Sequence, residues 1–260
     1  MMKKLIAFLL MILMISLSAC GETKAPVSTA KETPRPVQTE VPETEAPVTE
    51  TEKPPFDISF SSDEIKDSFV SPDGSGKTIF EYSCTFPVAE IPGYEDTEAA
   101  INAMFSSLEE DFYLGRNTGS GYSKQSMEEM ATDAVSVYGD AFEPFYMRRN
   151  AEVLYANENI ISFSVSDDLY QGPESRLTGM YYQVYDIEEM KILRFTDLGD
   201  DLLEEVAAWY SVGDDVMRVI DADNDWYLDG EGIVITGFDV PVTLPYIEVE
   251  GAIKDRYLPY

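Results

Sequence analysis

The 260-residue sequence contains no histidine, two cysteines and two tryptophans, and it sets only 18 basic residues against 49 acidic ones. Without histidine there is no serine or cysteine nucleophile activated by an imidazole, and no His-containing zinc site of the usual kinds. Neither common spacing of a glycine-rich phosphate loop occurs. A net charge of −31 repels nucleic-acid phosphates and anionic lipid headgroups, and it attracts cationic proteins or metal ions. The longest apolar run, Leu5 to Leu17 interrupted only by Ser16, falls short of the roughly 20 residues that a bilayer-spanning helix needs.

That run is nonetheless the first informative feature. Lys3 and Lys4 precede it and small residues follow it, the pattern of a secretory signal peptide. Its end, Leu17-Ser18-Ala19-Cys20, resembles the bacterial lipobox, whose cysteine takes a diacylglycerol before cleavage. Cys20 is therefore expected to be the lipidation site and the first mature residue, with 1–19 as a lipoprotein signal peptide. The competing reading is an ordinary cleaved signal with an incidental cysteine. Two acyl chains anchor stably where one binds only marginally, so the expected address is the extracytoplasmic face of the cell membrane.

Residues 20–55 are dominated by Thr, Glu, Pro, Val and Ala, as in "TPRPVQTEVPETEAPVTETEKPP". They hold no aromatic and no hydrophobic period, so they cannot bury enough surface to offset their ordering entropy. A disordered, proline-stiffened linker is expected, reaching on the order of 100 Å if fully extended at about 3.1 Å per residue. Residues 56–260 are rich in Tyr, Phe, Ile and Val and suit one large domain. Residues 1–56 hold six basic and seven acidic side chains, so the domain itself carries a net charge near −30. Solubility is the bland reading of that charge, and a basic partner is the sharper one.

The second cysteine, Cys84, lies in "KTIFEYSCTFPV", where Phe80, Tyr82, Cys84, Phe86 and Val88 alternate with polar neighbours. That period predicts a half-buried strand with the thiol in the core rather than a reactive one. The segment from Asp221 to Gly232, "DADNDWYLDGEG", begins like a calcium loop with Asp221, Asp223 and Asp225. An EF-hand needs glycine at its sixth place and glutamate at its twelfth; Trp226 and Gly232 stand there instead. These three aspartates are weak metal candidates, and a solvated turn before a strand is preferred. No cofactor is expected, and no catalytic residue is assigned. A glycosidase pair is defined by spatial separation, so neighbours such as Glu109-Glu110 nominate nothing.

The remaining pattern gives a helix over "EDTEAAINAMFSSLEEDFY", with Asp96 or Thr97 as cap, and a weaker one from about Ser126 to Ala141. "AEVLYANENIISFSVSDDLY" predicts a hairpin of Val153–Tyr155 with a strand through Ile161, Phe163 and Val165. A second hairpin turns near Glu188-Glu189, and Thr196 or Asp197 is expected to cap a helix through Leu202, Leu203, Val206 and Trp209. Late strands follow. The order predicts an α+β fold, a mostly antiparallel sheet packed with two to three helices.

That order, with Ile101-Asn102, "NENIISFSVSDDLY", "YYQVYDIEEMKILRFTDL", "WYLDGEGIVITGF" and "LPYIEV", resembles the RsiV-like extracytoplasmic domain. This domain is shared by the anti-sigma factor RsiV and the front part of the peptidoglycan deacetylase PdaC. The sequence departs from the family at its Gly-Ala-His-Gly turn, where "GPESRLTGM" stands, and at a Tyr-rich stretch shortened to "DVPVTLP". The resemblance implies a secreted sensing or binding module; in the anti-sigma member it binds lysozyme, a strongly cationic protein. With only Met1–Lys4 before the apolar run and no downstream deacetylase, the binding-type domain is expected to act alone on its tether. The expected function is non-enzymatic binding of lysozyme or another cationic protein, or of a cell-wall polymer. The alternative is a carboxylate-dependent wall hydrolase, with or without calcium.

Overall fold

The structure, a computed structural model, describes residues 54–116, 120–210, 224–237 and 241–259, the side chains of 207–210 excepted. Cys20, the linker as far as residue 53, Asp221 and Asp223 lie outside the described residues; at the linker's end the Pro54 carbonyl accepts from the Tyr94 hydroxyl at 2.8 Å. Nine strands and four helices make up the described chain: β1 Ser59–Val70, β2 Thr78–Glu90, α1 Glu95–Tyr113, α2 Lys124–Tyr138, β3 Phe145–Ala156, β4 Ile160–Tyr170, β5 Arg176–Asp186, β6 Lys191–Ile192, α3 Leu202–Tyr210, β7 Trp226–Leu228, β8 Gly232–Ile235, β9 Val242–Pro245 and α4 Tyr246–Val249. Strands β1 to β6 form one sheet in chain order, and β7 to β9 a second, antiparallel one. Every neighbour in the large sheet is antiparallel except β2 and β3, which run parallel because α1 and α2 carry the chain back across the sheet. The α+β expectation holds.

The helices cover one face. Phe80, Tyr82, Cys84, Phe163 and Val165 point into a core with Ile101, Phe105 and Phe112 of α1 and Met127 and Ala131 of α2. The Phe105 and Phe163 rings meet edge to face at 5.2 Å. Cys84 is fully buried and unpaired, as its position in the alternation requires. Where β2 outruns β3, the side chain of Asn102 takes the place of a strand: the Ala89 N–H donates to its Oδ1 at 2.7 Å, and its Nδ2 donates to the Ala89 carbonyl at 3.0 Å. The Ile91 N–H donates to Glu98 Oε2. Both helical residues thus satisfy strand groups that the sheet leaves open.

A second core lies toward the other end of the chain. Ile160 and Val184 of the large sheet pack with Leu193, Phe195, Leu198, Leu202, Val206, Trp226, Ile233, Leu244, Tyr257 and Leu258. Asp186, fully buried at the end of β5, fastens this region: it accepts from the Glu189 N–H, Arg256 Nη2 and the Tyr257 hydroxyl, each at 2.8 Å. The Leu228 N–H donates to Ser162 Oγ at 3.2 Å and joins the small sheet to the large one. Among the described residues no helix is long and apolar enough to cross a membrane.

Several local expectations are corrected. β1 was not expected: its apolar residues, Phe60, Ile65, Phe69 and Val70, are scattered among charges and follow no period of two. The first hairpin strand spans Phe145–Ala156 rather than Val153–Tyr155 alone; its inward phase is Phe145, Met147, Arg149 and Ala151, and the arginine breaks the apolar period. Tyr94, not Asp96 or Thr97, stands at the N-cap of α1 and makes no side-chain cap bond. α2 starts earlier than expected, at Lys124, because Ser123 and Ser126 form a reciprocal capping box; it ends at Gly139 with φ 55°, followed by a 3-10 turn. Thr196 and Asp197 belong to a 3-10 turn before α3 instead of capping it. "LPYIEV" ends β9 and then turns into α4 rather than continuing as a strand.

Candidate functional site

Of the weak metal candidates only Asp225 is described. It sits in a bend before β7, and its carbonyl accepts from the Thr236 N–H at 2.8 Å. Among the described residues no group of three Asp, Glu, Cys or His side chains is arranged to hold a metal ion.

The inner face of the sheet contains one charged centre. Arg149 of β3 donates from Nε and Nη2 to the two carboxylate oxygens of Asp167 on β4, both at 2.7 Å, and from Nη1 to the Leu108 carbonyl of α1 at 2.9 Å. Its guanidinium lies 4.5 Å from the Phe112 ring. Burial pushes the neighbouring Cys84 thiol up to about 12 and the Tyr181 hydroxyl to about 12, so both stay protonated. Arg149, Asp167 and Cys84 are all buried, and the cluster serves packing.

The outer face is different. The small sheet covers only its far end, and strand pairing lays out the rest in rows. One row runs Ser68, Glu81, Tyr146, Tyr170, Arg176; the next runs Lys66, Ser83, Arg148, Asp168, Thr178. The Tyr146 and Tyr170 rings stack at 5.3 Å with 15° between planes, and the Arg148 guanidinium lies 4.1 Å from the Tyr146 ring. Arg176 grips Asp168 through two bonds of 2.9 and 2.8 Å, which holds the Asp168 carboxyl below its ordinary range. The Tyr170 hydroxyl donates to Glu143, and that bond raises its pKa. Two shallow grooves flank the stack, one of about 660 Å³ beside Lys66, Glu81 and Arg148, the other of about 440 Å³ beside Glu143, Tyr170 and Arg176. Such a surface presents flat aromatic area, fixed cations and fixed carboxylates at once. It can stack, pair and hydrogen-bond a ligand without transferring a proton.

None of these residues was singled out from the sequence. They occupy the polar phase of alternating strands, where solvent exposure explains any residue. The available signal was the presence of Tyr146, Tyr170 and Tyr182 in that phase.

No known family's sequence profile matches this chain, and no curated protein matches it. Solved structures do. A member of the DUF3298 family from Bacteroides fragilis NCTC 9343 is 16% identical, with a TM-score of 0.50 over 76% of this chain and 94% of that one. A DUF3298 family protein from Pseudomonas aeruginosa PAO1 is 14% identical, with a TM-score of 0.46 over 80% of this chain and 99% of that one. The fold is therefore one also seen in the Bacteroides protein.

Proposed function

We propose that this chain is a non-enzymatic binding or sensing domain, held at the outer face of a membrane by a lipid on Cys20, and that its partner is a cationic protein such as lysozyme. The observation that carries the reading is the open outer face of the large sheet, with its stacked tyrosines, arginines and carboxylates beside shallow grooves. Asp168, at the centre of that face, is held ionised by Arg176, the opposite of what a general acid requires. The net charge selects a basic partner. The end of α1 also carries no basic residue in its last turn, where Glu110 and Asp111 stand. The helix dipole disfavours an acid there by about 0.3–1 kcal/mol at low ionic strength; Asp111 is offset by Arg116 at 3.7 Å, and Glu110 adds to the acidic surface. A second reading, a cell-wall polymer with its sugar rings on the Tyr146–Tyr170 stack, is favoured by that stack alone.

The test immobilises the full chain, solubilised in non-ionic detergent, against lysozyme and against cytochrome c as a basic control. Selective binding to lysozyme is expected, with association slowed strongly between low salt and about 0.5 M, since screening acts beyond roughly 8 Å at physiological ionic strength. Equal weak binding to both proteins would mean ion exchange by an acidic surface. No binding at low salt would remove the cationic partner and leave the wall polymer, to be assayed by co-sedimentation with purified wall. Cys20→Ala should move the protein out of the membrane fraction; retention there, with no lipid on the wild type, would overturn the anchor.

A further inference from the structure

The large sheet ends on two unequal edges. β1 carries Asp63, Glu64, Lys66 and Asp67 along its length, the kind of charges that guard an exposed edge against further pairing. At the other side β6 pairs only with Tyr185 and Asp186, which leaves β5 as the edge from Arg176 to Tyr181. Its main-chain orientation is fixed by two bonds directed away from β4: the Tyr182 N–H donates to the Asn224 carbonyl at 2.8 Å, and the Val184 carbonyl accepts from the Leu193 N–H at 2.7 Å. Main-chain groups alternate sides along a strand, so those of Met180 and Thr178 point the same way. They have no partner among the described residues. A Cβ placed on Gly179 would meet nothing within 4 Å, and Leu177 and Met180 are 45% and 56% exposed. From Leu177 through Tyr185 there is no charged side chain, and the Arg176 guanidinium is folded onto Asp168.

We propose that this edge is a strand-addition site and that its occupant is an extended, Lys- or Arg-bearing segment of a partner protein. Six residues of strand with no neighbouring strand among the described residues span roughly 20 Å, enough for a short segment to gain main-chain bonds while alternate side chains supply specificity. Charge chooses the occupant. A second copy would bring another net charge of −31 against the first. A basic segment instead meets acids at both ends: Glu174 precedes the strand, and Asp225 follows the Asn224 carbonyl that closes it. This inference rests on the cationic-partner reading above and names where that partner grips.

The test uses the full chain in detergent with three probes: lysozyme, a nine-residue peptide alternating lysine with valine, and the same peptide with glutamate for lysine. The perturbation is Met180→Pro, alone and with Thr178→Pro. Proline removes only an outward N–H at an edge position, where it is tolerated, and leaves net charge unchanged. Expected are protection of the 177–181 amides from hydrogen exchange by lysozyme and the lysine peptide, none by the glutamate peptide, and at least ten-fold weaker binding by the proline variants with an unfolding midpoint within a few degrees of wild type. If the double variant unfolds early, the exchange map on the wild type decides alone. Lysozyme binding that protects other residues and ignores both prolines would overturn the edge while leaving the cationic partner standing. Equal protection by the glutamate peptide would overturn the choice of a basic occupant. So would a wild-type dimer that the prolines dissolve. Failure of lysozyme, cytochrome c and the lysine peptide to bind at low salt would overturn both readings.

Discussion

Asp186→Ala should be the most damaging single polar substitution in the second core. The carboxylate is fully buried and serves three donors: the Glu189 N–H, Arg256 Nη2 and the Tyr257 hydroxyl. Tyr257 is itself 1% exposed, so its orphaned hydroxyl would cost about 1–3 kcal/mol. The Glu189 amide loses its acceptor as well. Arg256 suffers less, because its side chain is 27% exposed and keeps Glu188 at 3.1 Å and Glu189 at 3.6 Å. The total is about 3–5 kcal/mol, the range for breaking a buried charge interaction. A domain of this size loses roughly 2–4 °C per kcal/mol, so the thermal midpoint should fall by about 6–20 °C. Asp186→Asn keeps an acceptor for one donor and should cost about half. The decisive measurement is a cycle with Tyr257→Phe, read by urea unfolding. Removing the orphan hydroxyl should return about 1 kcal/mol, so the double variant is less destabilised than the sum of the singles. Strict additivity, or a loss below about 1 kcal/mol for Asp186→Ala, would refute the clasp.

Cys84 should be inert: in the Cys20→Ala background a thiol-specific disulfide reagent at pH 8 should label it only after denaturation, because burial pushes its pKa up to about 12, and rapid native labelling would contradict this placement. Asp168 and Asp67 are held below their ordinary 3.8 by hydrogen bonds from Arg176 and Lys124. A depressed folded value means stability that is present above about pH 4 and lost as pH falls through the folded values. Asp168→Asn should therefore flatten the acid limb of stability against pH, with a loss below about 1 kcal/mol at pH 7 because the pair is partly exposed; an unchanged limb would count against the pairing.

What the sequence revealed follows from what folding does to each residue. α1 was legible in its apolar face, though not in its cap, because Ile101, Phe105 and Phe112 must all meet the sheet, a demand only a period near 3.6 can satisfy. β2 was legible for the same reason at period two. β1 left no pattern because it lies on an edge and is exposed along nearly its whole length. The parallel pairing of β2 with β3 depends on how two helices cross the sheet, and no local residue encodes that. The Ser123–Ser126 capping box was visible as Ser-Lys-Gln-Ser and simply outweighed by a weak apolar period after it. The outer face was hidden most deeply. Tyr146, Arg148, Asp168, Tyr170 and Arg176 lie up to 30 positions apart, and only the strand register brings them together.

The Arg149–Asp167 pair has a consequence for how the sheet finds its alignment. Along the inner face of β3 and β4, Met147, Ala151 and Val153 lie opposite Leu169, Val165 and Phe163. Sliding one strand by two residues would keep every one of these on the same face and set two of the three, or one of them in the other direction, against another apolar residue, so hydrophobic burial alone discriminates weakly against that error. The same slide would set Arg149 opposite Val165 or Leu169, move Asp167 to the diagonal, and break the two-bond grip between a guanidinium and a carboxylate that are both buried, a costly loss inside the core. In the native alignment the pair adds little net stability. Its effect falls on the misaligned sheets, which it makes too costly to persist, so the chain carries at residues 149 and 167 its own proofreading of strand register.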